Sequence, residues 1–267
     1  MKIMPEDFTL RKYRELCSAL MDLGYVPIRV ADYFERKFDQ RLVIMRHDVD
    51  RMSFRALRMA RAEKEMDVIS TFYFRHRRSV FNVGLLQELN KMGFEIGYHY
   101  ETLDKAKGNY GLAIRIFEKE LSEFNKICPV RTICAHGNPL TKWDNKNLWR
   151  TYDFRSYGIL GEASLSLDYG KVAYYSDTGR TWNVFRDKVK DFVPQHDVEN
   201  LSDTDSLIRA LKKKNIDICL TTHPERWNDE LHAYIISAGF DFCANKLKYL
   251  IRLLRRTPNA MQDMRLG

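Results

Sequence analysis

The sequence predicts an α/β protein whose strands run parallel in one sheet or barrel. Short apolar runs typical of buried strands alternate along the chain with longer segments of helical periodicity. Four of these runs lead into a histidine, at His47, His99, His136 and His223. In parallel α/β folds the carboxyl ends of all strands meet at one face, so we expect these histidines to share a site.

Length and composition favour a single globular domain. The 267 residues are enough for one α/β barrel, and 45% hydrophobic with 30% charged residues is an ordinary globular composition. No run of 18 apolar residues occurs and the first residues lack a long apolar region, so neither a membrane span nor a signal peptide is predicted. The five cysteines are widely spaced and odd in number, which predicts reduced thiols and a cytoplasmic location.

Apolar runs and helix caps place the predicted barrel in residues 41–245, after a helical extension, residues 1–40, that packs on it. Thr9, Asn82 and Asn109 each precede a helical pattern and are expected to cap it. Strands are predicted at 26–30, 42–45, 68–74, 94–98, 131–135, 172–175, 182–185, 216–222 and 240–243. Helices are predicted at 9–23, 53–66, 82–93, 109–127, 203–214 and 228–238.

The segment 246–267 is predicted to be a basic amphipathic helix and tail. Leu247, Leu250, Ile251 and Leu254 fall on one face of this helix. Docking on the body of the protein and peripheral attachment to a membrane surface are the two alternatives. The net charge of +8 permits an anionic partner, but no nucleic-acid-binding motif occurs, so nucleic acid is not a predicted partner.

Carboxylates and imidazoles at the predicted strand ends have the chemistry of a metal-dependent hydrolase. A hydrolytic zinc site needs about three His or carboxylate ligands and one open position. Asp50 and His99, with either Glu101 or His136, can supply these ligands. Asp48 then remains to accept a proton from water, because a general base must not be consumed by the metal.

Further polar and aromatic residues near the strand ends are candidates for acid catalysis and substrate contact. Pro224 biases His223 to an extended backbone at a strand end, where its imidazole can donate a proton to a leaving group. Asp177 either binds substrate hydroxyls, orients a catalytic group or forms an ordinary turn; Trp227 walls a pocket or belongs to the core. The residues assigned to substrate contact are His47, His136, Asn138, Asp177, Arg180, Trp182 and Trp227.

The order of these motifs resembles that of the polysaccharide deacetylases, the NodB-like family 4 carbohydrate esterases, over roughly residues 40–245. The resemblance implies a distorted seven-stranded (β/α) barrel in a single domain and metal-dependent removal of an N- or O-acyl group from a sugar. The corresponding segments are 46–50 (RHDVD), 97–101 (GYHYE), 135–139 (AHGNP), 176–182 (SDTGRTW) and 220–224 (LTTHP).

The chain departs from the family's pattern at three places. Leu103 stands where the family has a second metal-binding histidine, Val49 separates the two aspartates, and no arginine begins the third motif. Either Glu101 or His136 completes the metal site, or metal is absent. The departures therefore keep a non-catalytic, carbohydrate-binding descendant of the barrel as the alternative to an enzyme.

The first hypothesis is a cytoplasmic hydrolase that uses a divalent metal, zinc, to remove an acetyl or formyl group during surface polysaccharide or lipopolysaccharide biosynthesis. Its carbohydrate substrate could be lipid-linked, which would suit a peripheral membrane contact through the basic helix. The residues assigned to the reaction are Asp48 as base, His223 as acid, and Asp50, His99 and Glu101 as metal ligands.

Overall fold

Eight parallel strands form one curled sheet. The structure, a computed structural model, describes residues 5–182 and 201–256, without the side chains of 248 and 250–256. The strands are β1 (Tyr25–Ile28), β2 (Arg41–Val49), β3 (Thr71–Phe74), β4 (Glu95–Tyr100), β5 (Thr132–Ala135), β6 (Gly161–Glu162), β7 (Val172–Ser176) and β8 (Asp217–Thr222).

Seven of the strands follow one another in the order β6-β5-β4-β3-β2-β8-β7. β1 pairs with the first half of β2, and β3 pairs with the second half of β2 on the same edge. Within the described residues β6 and β7 do not pair, so the barrel is open between them. The predicted distorted seven-stranded barrel in a single domain is confirmed, with β1 as an additional strand.

Helices pack around the sheet, and the sequence specifies where several of them begin. The side chains of Thr9, Asn82 and Asn109 each accept a hydrogen bond from a backbone N–H three residues further on, as their positions predict. The α-helices are α1 (Leu10–Asp22), α2 (Val30–Glu35), α3 (Phe54–Lys64), α4 (Val83–Lys91), α5 (Thr102–Lys105), α6 (Tyr110–Asn125), α7 (Thr204–Leu211) and α8 (Leu231–Arg256).

Strand alternation divides the core into an inner and an outer layer. In β2, Leu42 and Ile44 pack inside the barrel, whereas Val43 and Met45 pack outside against helices. The inner layer is narrow. A Cβ atom on Gly97 of β4 would lie 2.3 Å from the ring of Tyr73 on β3, so only glycine fits there. Toward the carboxyl ends of the strands, the buried inner side chains are polar instead of apolar.

The main departure from the predicted elements lies near the end of the described chain. The prediction of a strand at 240–243 is wrong, because α8 runs through these residues. Phe240 and Phe242 are exposed and Asp241 between them is buried, the reverse of what the apolar alternation suggested. The predicted strand 182–185 and the tail after 256 lie outside the described residues. Among the described helices, none is long and apolar enough to cross a bilayer.

Candidate active site

Four strand ends bring charged side chains together at one end of the barrel. Alternation along β2 turns Arg46 and Asp48 inward with Ile44, and Asp50 follows the strand directly. The same alternation turns His99 of β4 inward, and His136 follows β5. Asp48 and His99 are buried, whereas Asp50 and His136 keep partial exposure.

Asp50 lies among three imidazoles. Its Oδ1 atom is 3.5 Å from Nε2 of His99 and 3.5 Å from Nε2 of His136, and its Oδ2 atom is 4.0 Å from Nε2 of His223. Oδ1 is buried and accepts no hydrogen bond from the described residues. Because an unpartnered buried carboxylate oxygen is costly, this atom marks a position where a cation would be stabilised.

The two imidazoles nearest Asp50 differ in electrostatics. Nδ1 of His99 donates to the backbone oxygen of Cys134 at 3.0 Å, so Nε2 is the nitrogen directed at Asp50. Burial would lower the pKa of His99, but the carboxylates of Asp48 and Asp50 raise it above its ordinary value. Burial lowers the pKa of His136 to about 4, which keeps this imidazole neutral at neutral pH.

Asp48 is held by a buried arginine from its own strand. Arg46 donates from Nε to Oδ1 at 2.9 Å and from Nη2 to Oδ2 at 2.7 Å. Burial would raise the pKa of Asp48, but the charges of Arg46 and His99 bring it below its ordinary value. Asp48 is therefore ionised at neutral pH and fixed in direction by the guanidinium.

His223 forms a separate pair with Asp177. Its Nδ1 donates to Oδ1 of Asp177 at 2.6 Å, which leaves Nε2 facing Asp50. Asp177 is fully buried and also accepts hydrogen bonds from Arg226 and from the indole of Trp227. Burial and Arg226 would lower the pKa of His223, but Asp177 raises it above its ordinary value. Of the roles predicted for Asp177, its position suits orienting a catalytic group.

Glu101 is close to the site but is engaged by basic side chains. Its Oε2 accepts a hydrogen bond from Arg75 at 2.5 Å, and its Oε1 accepts one from Arg77 at 2.6 Å. Oε2 also lies 3.5 Å from Nδ1 of His136. Burial would raise the pKa of Glu101, but Arg75, His136 and Arg77 lower it. Both oxygens of the carboxylate are therefore occupied by neighbours of the site.

Two groups of side chains at this end of the barrel are candidates for holding a metal ion. Donor atoms of Asp48, His99 and Cys134 lie within 4.8 Å of one another. The Arg46 guanidinium, however, bonds both oxygens of Asp48 and contacts Cys134 Sγ, and its positive charge opposes a cation there.

The set of Asp50, His99 and His136 is the alternative, and in the described residues no guanidinium is hydrogen-bonded to its three donor atoms. Ligand atoms about 2.0–2.1 Å from one zinc ion at tetrahedral angles lie about 3.3–3.4 Å apart. The two separations of 3.5 Å between Asp50 Oδ1 and the imidazole nitrogens are close to this spacing. One carboxylate, through its unpartnered buried Oδ1, and two imidazoles are donor types that a divalent cation takes.

The prediction that His47 contacts substrate does not fit its position. His47 is one residue before Asp48, so strand alternation turns it outward, where it is fully buried. Its Nε2 donates to Glu63 of α3 at 2.8 Å, and its Nδ1 lies 2.6 Å from the hydroxyl of Thr222. His47 therefore joins β2, β8 and α3 behind the site.

The substrate contacts predicted for the two tryptophans and Arg180 also conflict with the packing. Trp182 and Trp227 are buried in the outer core and offer no exposed face to a sugar ring. Arg180 has a φ of 56° and donates to Asp241 and Ser237 of α8. These residues hold the loops after β7 and β8 in place.

Asn138 lies in the loop after β5, where its side chain accepts a hydrogen bond from the backbone N–H of Leu140. It is partly exposed, so substrate contact by Asn138 stays a prediction. Arg46 and Arg75 were missed as site residues. A signal for Arg46 was present, because it stands two positions before Asp48 and so shares its face of β2.

No protein-family model and no curated protein matches the chain. Among solved structures, it is similar to a family 4 carbohydrate esterase pseudoenzyme from Bacillus anthracis, with a TM-score of 0.43 and 13% identity over 79% of this chain and 62% of that chain. It is also similar to a peptidoglycan deacetylase from Bacillus subtilis, with a TM-score of 0.41 and 12% identity over 85% and 97% of the two chains. The chain thus spans less than two thirds of the pseudoenzyme. Similarities with TM-scores below 0.5 assign no function to it.

Proposed function

We propose that the protein is a metal-dependent hydrolase that removes an acyl group from a sugar. The observation that carries this proposal is the buried Oδ1 of Asp50, which lies 3.5 Å from Nε2 of both His99 and His136. The sugar, and the acetyl or formyl group linked through nitrogen or oxygen, come from the sequence resemblance to the polysaccharide deacetylases. The chain's own residues support a hydrolytic site of this kind.

Asp50, His99 and His136 are the proposed metal ligands. His136 replaces the predicted Glu101 in this set because both oxygens of Glu101 accept hydrogen bonds from arginines. The neutral imidazole of His136 is in the protonation state that a ligand needs. When bound, a zinc ion would lower the pKa of water and polarise the acyl carbonyl.

Asp48 and His223 are the proposed base and acid. Asp48 is ionised and fixed by Arg46, so it can accept a proton from the attacking water. Asp177 holds Nδ1 of His223, so a proton on Nε2 is directed toward Asp50 and can pass to the leaving amine or alkoxide. Asp48, on β2, therefore accepts a proton from water, and His223, directly after β8, donates a proton to the leaving group.

We also propose zinc as the metal, a cytoplasmic location and a role in surface polysaccharide or lipopolysaccharide biosynthesis, with a lipid-linked sugar as one form of substrate. The location is supported by the five cysteines, which are all free, four of them buried. The biosynthetic role and the lipid linkage are suggested by the sequence resemblance alone.

A non-catalytic, carbohydrate-binding barrel is the second candidate. The observation that favours it is Leu103, which is 1% exposed and packs in the outer core, so that α5 provides no histidine ligand. A binding protein of this kind would bind a sugar without turnover.

Release of acetate or formate from acylated amino sugars, measured with zinc, cobalt or manganese added, tests the proposal. We expect turnover by the wild type and a loss of at least about 100-fold in Asp48→Asn and in His223→Gln. His223→Gln is included because Asp48→Asn removes the carboxylate charge that pairs with the buried Arg46. Asp39→Asn, an exposed change before β2, is the control. Full activity in Asp48→Asn contradicts the mechanism, and metal binding without any turnover favours the non-catalytic candidate.

A further inference from the structure

Helix α8 carries a band of exposed apolar side chains. Large apolar side chains exposed elsewhere in the described residues are scattered over separate segments. On α8, six of them are between 45% and 62% exposed: Ile235, Ile236, Phe240, Phe242, Leu247 and Tyr249. Such a concentration marks an interaction surface, because isolated exposed residues are ordinary and contiguous patches are not.

The charge that accompanies this band is positive. Asp241 is the one acidic residue in the sequence of α8, and it is 4% exposed and paired with Arg51, Arg180 and Arg226. Residues 246–256 contain five basic residues and no acidic one. In the described side chains, the outer side of α8 offers apolar groups and Lys246 and no carboxylate, and the sequence that follows adds only basic charge.

The band is too broad for the seam of a two-stranded coiled coil. The six residues form two lines, Ile235, Phe242 and Tyr249 at intervals of seven, and Ile236, Phe240 and Leu247 at intervals of four and seven. At 100° per residue the two lines lie about 140° apart around the helix. A coiled-coil seam is a single narrow stripe, whereas a helix lying on a bilayer buries a wide face.

The inner side of α8 is fastened beside the candidate active site. Ser237 donates to the backbone oxygen of Glu225 at 2.7 Å, and Asn245 donates to that of Gly179 at 3.1 Å. Glu225 closely follows His223, and Gly179 belongs to the turn after β7. A partner bound to the outer side of α8 would therefore be held next to the carboxyl ends of the strands.

We propose that α8 binds the surface of an anionic lipid bilayer. The apolar band would enter the headgroup region, and the basic residues would approach the lipid phosphates. A second copy of the chain would cover the apolar groups, but its own α8 is also basic. The one acidic residue of that helix, Asp241, is buried and could not pair with the facing basic residues. An anionic bilayer matches both features, and this inference does not depend on the proposed hydrolase activity.

Flotation of the full chain with lipid vesicles tests the proposal. We expect at least about tenfold more binding to vesicles of phosphatidylcholine with phosphatidylglycerol than to phosphatidylcholine alone, weakened by added salt. The double variant Ile235→Ser/Phe242→Ser should lower binding to the anionic vesicles by about tenfold or more. Val83→Ser/Leu165→Ser, which removes apolar residues of similar exposure from other segments, should bind like the wild type.

Three results would overturn the proposal: no preference for anionic vesicles, equal binding by Ile235→Ser/Phe242→Ser, or equal loss in the control variant. Light scattering adds a further check. A dimer that this double variant dissociates would identify a second copy as the occupant instead. Acyl release from a water-soluble sugar, unchanged in the double variant, would separate failure of this inference from failure of the proposed hydrolase.

Discussion

Nδ1 of His136 lies 3.5 Å from Oε2 of Glu101, on the side of the ring away from Asp50. This places a carboxylate behind a histidine whose other nitrogen faces the candidate metal position. A carboxylate in this place raises the basicity of a ligand histidine without binding the ion. Nδ1 of His136 makes no hydrogen bond within the described residues, so we infer that Glu101 acts on His136 through its charge, while Arg75 and Arg77 position Glu101.

Substitution of the proposed ligands should weaken metal binding more than substitution of Glu101. We expect Asp50→Asn and His136→Gln to weaken zinc or cobalt binding by more than about 100-fold, and Glu101→Gln by about 10- to 100-fold. Competition titration with a chromophoric chelator measures these affinities in metal-stripped protein. Glu118→Gln, on the surface near Tyr157, is the control. Stronger loss in Glu101→Gln than in His136→Gln would instead make Glu101 the ligand.

The pH profile of hydrolysis should reveal the pair formed by His223 and Asp177. The acid must be protonated, so activity falls as pH rises through the pKa of His223, which Asp177 raises. Asp177→Asn removes that carboxylate and should move the alkaline limb of kcat/KM to lower pH. Asp168→Asn, an exposed change, should leave the profile unmoved. An unchanged alkaline limb in Asp177→Asn would show that His223 is not the titrating acid.

The network behind the site should matter for stability. Glu63 is fully buried and accepts hydrogen bonds from Tyr13, His47 and Ser70. Glu63→Ala leaves these three groups unpaired and should lower the free energy of unfolding by about 3–5 kcal/mol. Glu65→Ala loses only an exposed ion pair and should cost less than about 1 kcal/mol. Urea unfolding compares them, and equal losses would contradict the structural role of Glu63.

Glu225 should make stability depend on pH in metal-free protein. Burial raises its pKa from 4.5 to about 7, so the folded protein keeps a proton that the unfolded chain releases. The free energy of unfolding should therefore fall as pH rises through this window and level off above it. The free energy of unfolding of Glu225→Gln, compared with that of the wild type at the same pH, should rise by up to about 3 kcal/mol as pH increases from 4.5 to about 7. Parallel stability curves for the two proteins would rule this out.

The sequence was sufficient to predict the barrel and the meeting of Asp48, Asp50, His99, His136 and His223. Each lies at the end of a recognisable strand or directly after it, and parallel strands bring their carboxyl ends to one place regardless of sequence separation. The sequence pattern therefore predicted that these residues, although far apart in the chain, lie close together in the fold.

The sequence was a poorer guide where contacts between distant segments determine the structure or the role of a residue. Glu101 as a ligand stays a prediction, but its contacts disfavour it, because Arg75 and Arg77 come from the loop after β3, which no local pattern links to β4. Trp182 and Trp227 looked available for sugar because outer-core packing with α1 and α7 is invisible in the sequence. The helix at 240–243 resembled a strand because apolar residues alternate there. In the structure Asp241 is the side chain that faces inward, where Arg51 and Arg226 pair with it.

The alternation along β2 has a consequence for how this chain can change over evolutionary time. Inserting one residue after Met45 would reverse the directions of the side chains that follow, so that Asp48 would face α3 and His47 would enter the barrel. Inserting two would restore the directions but displace the carboxylates by one full pleat. Length changes should therefore accumulate in the connecting loops and not within this strand.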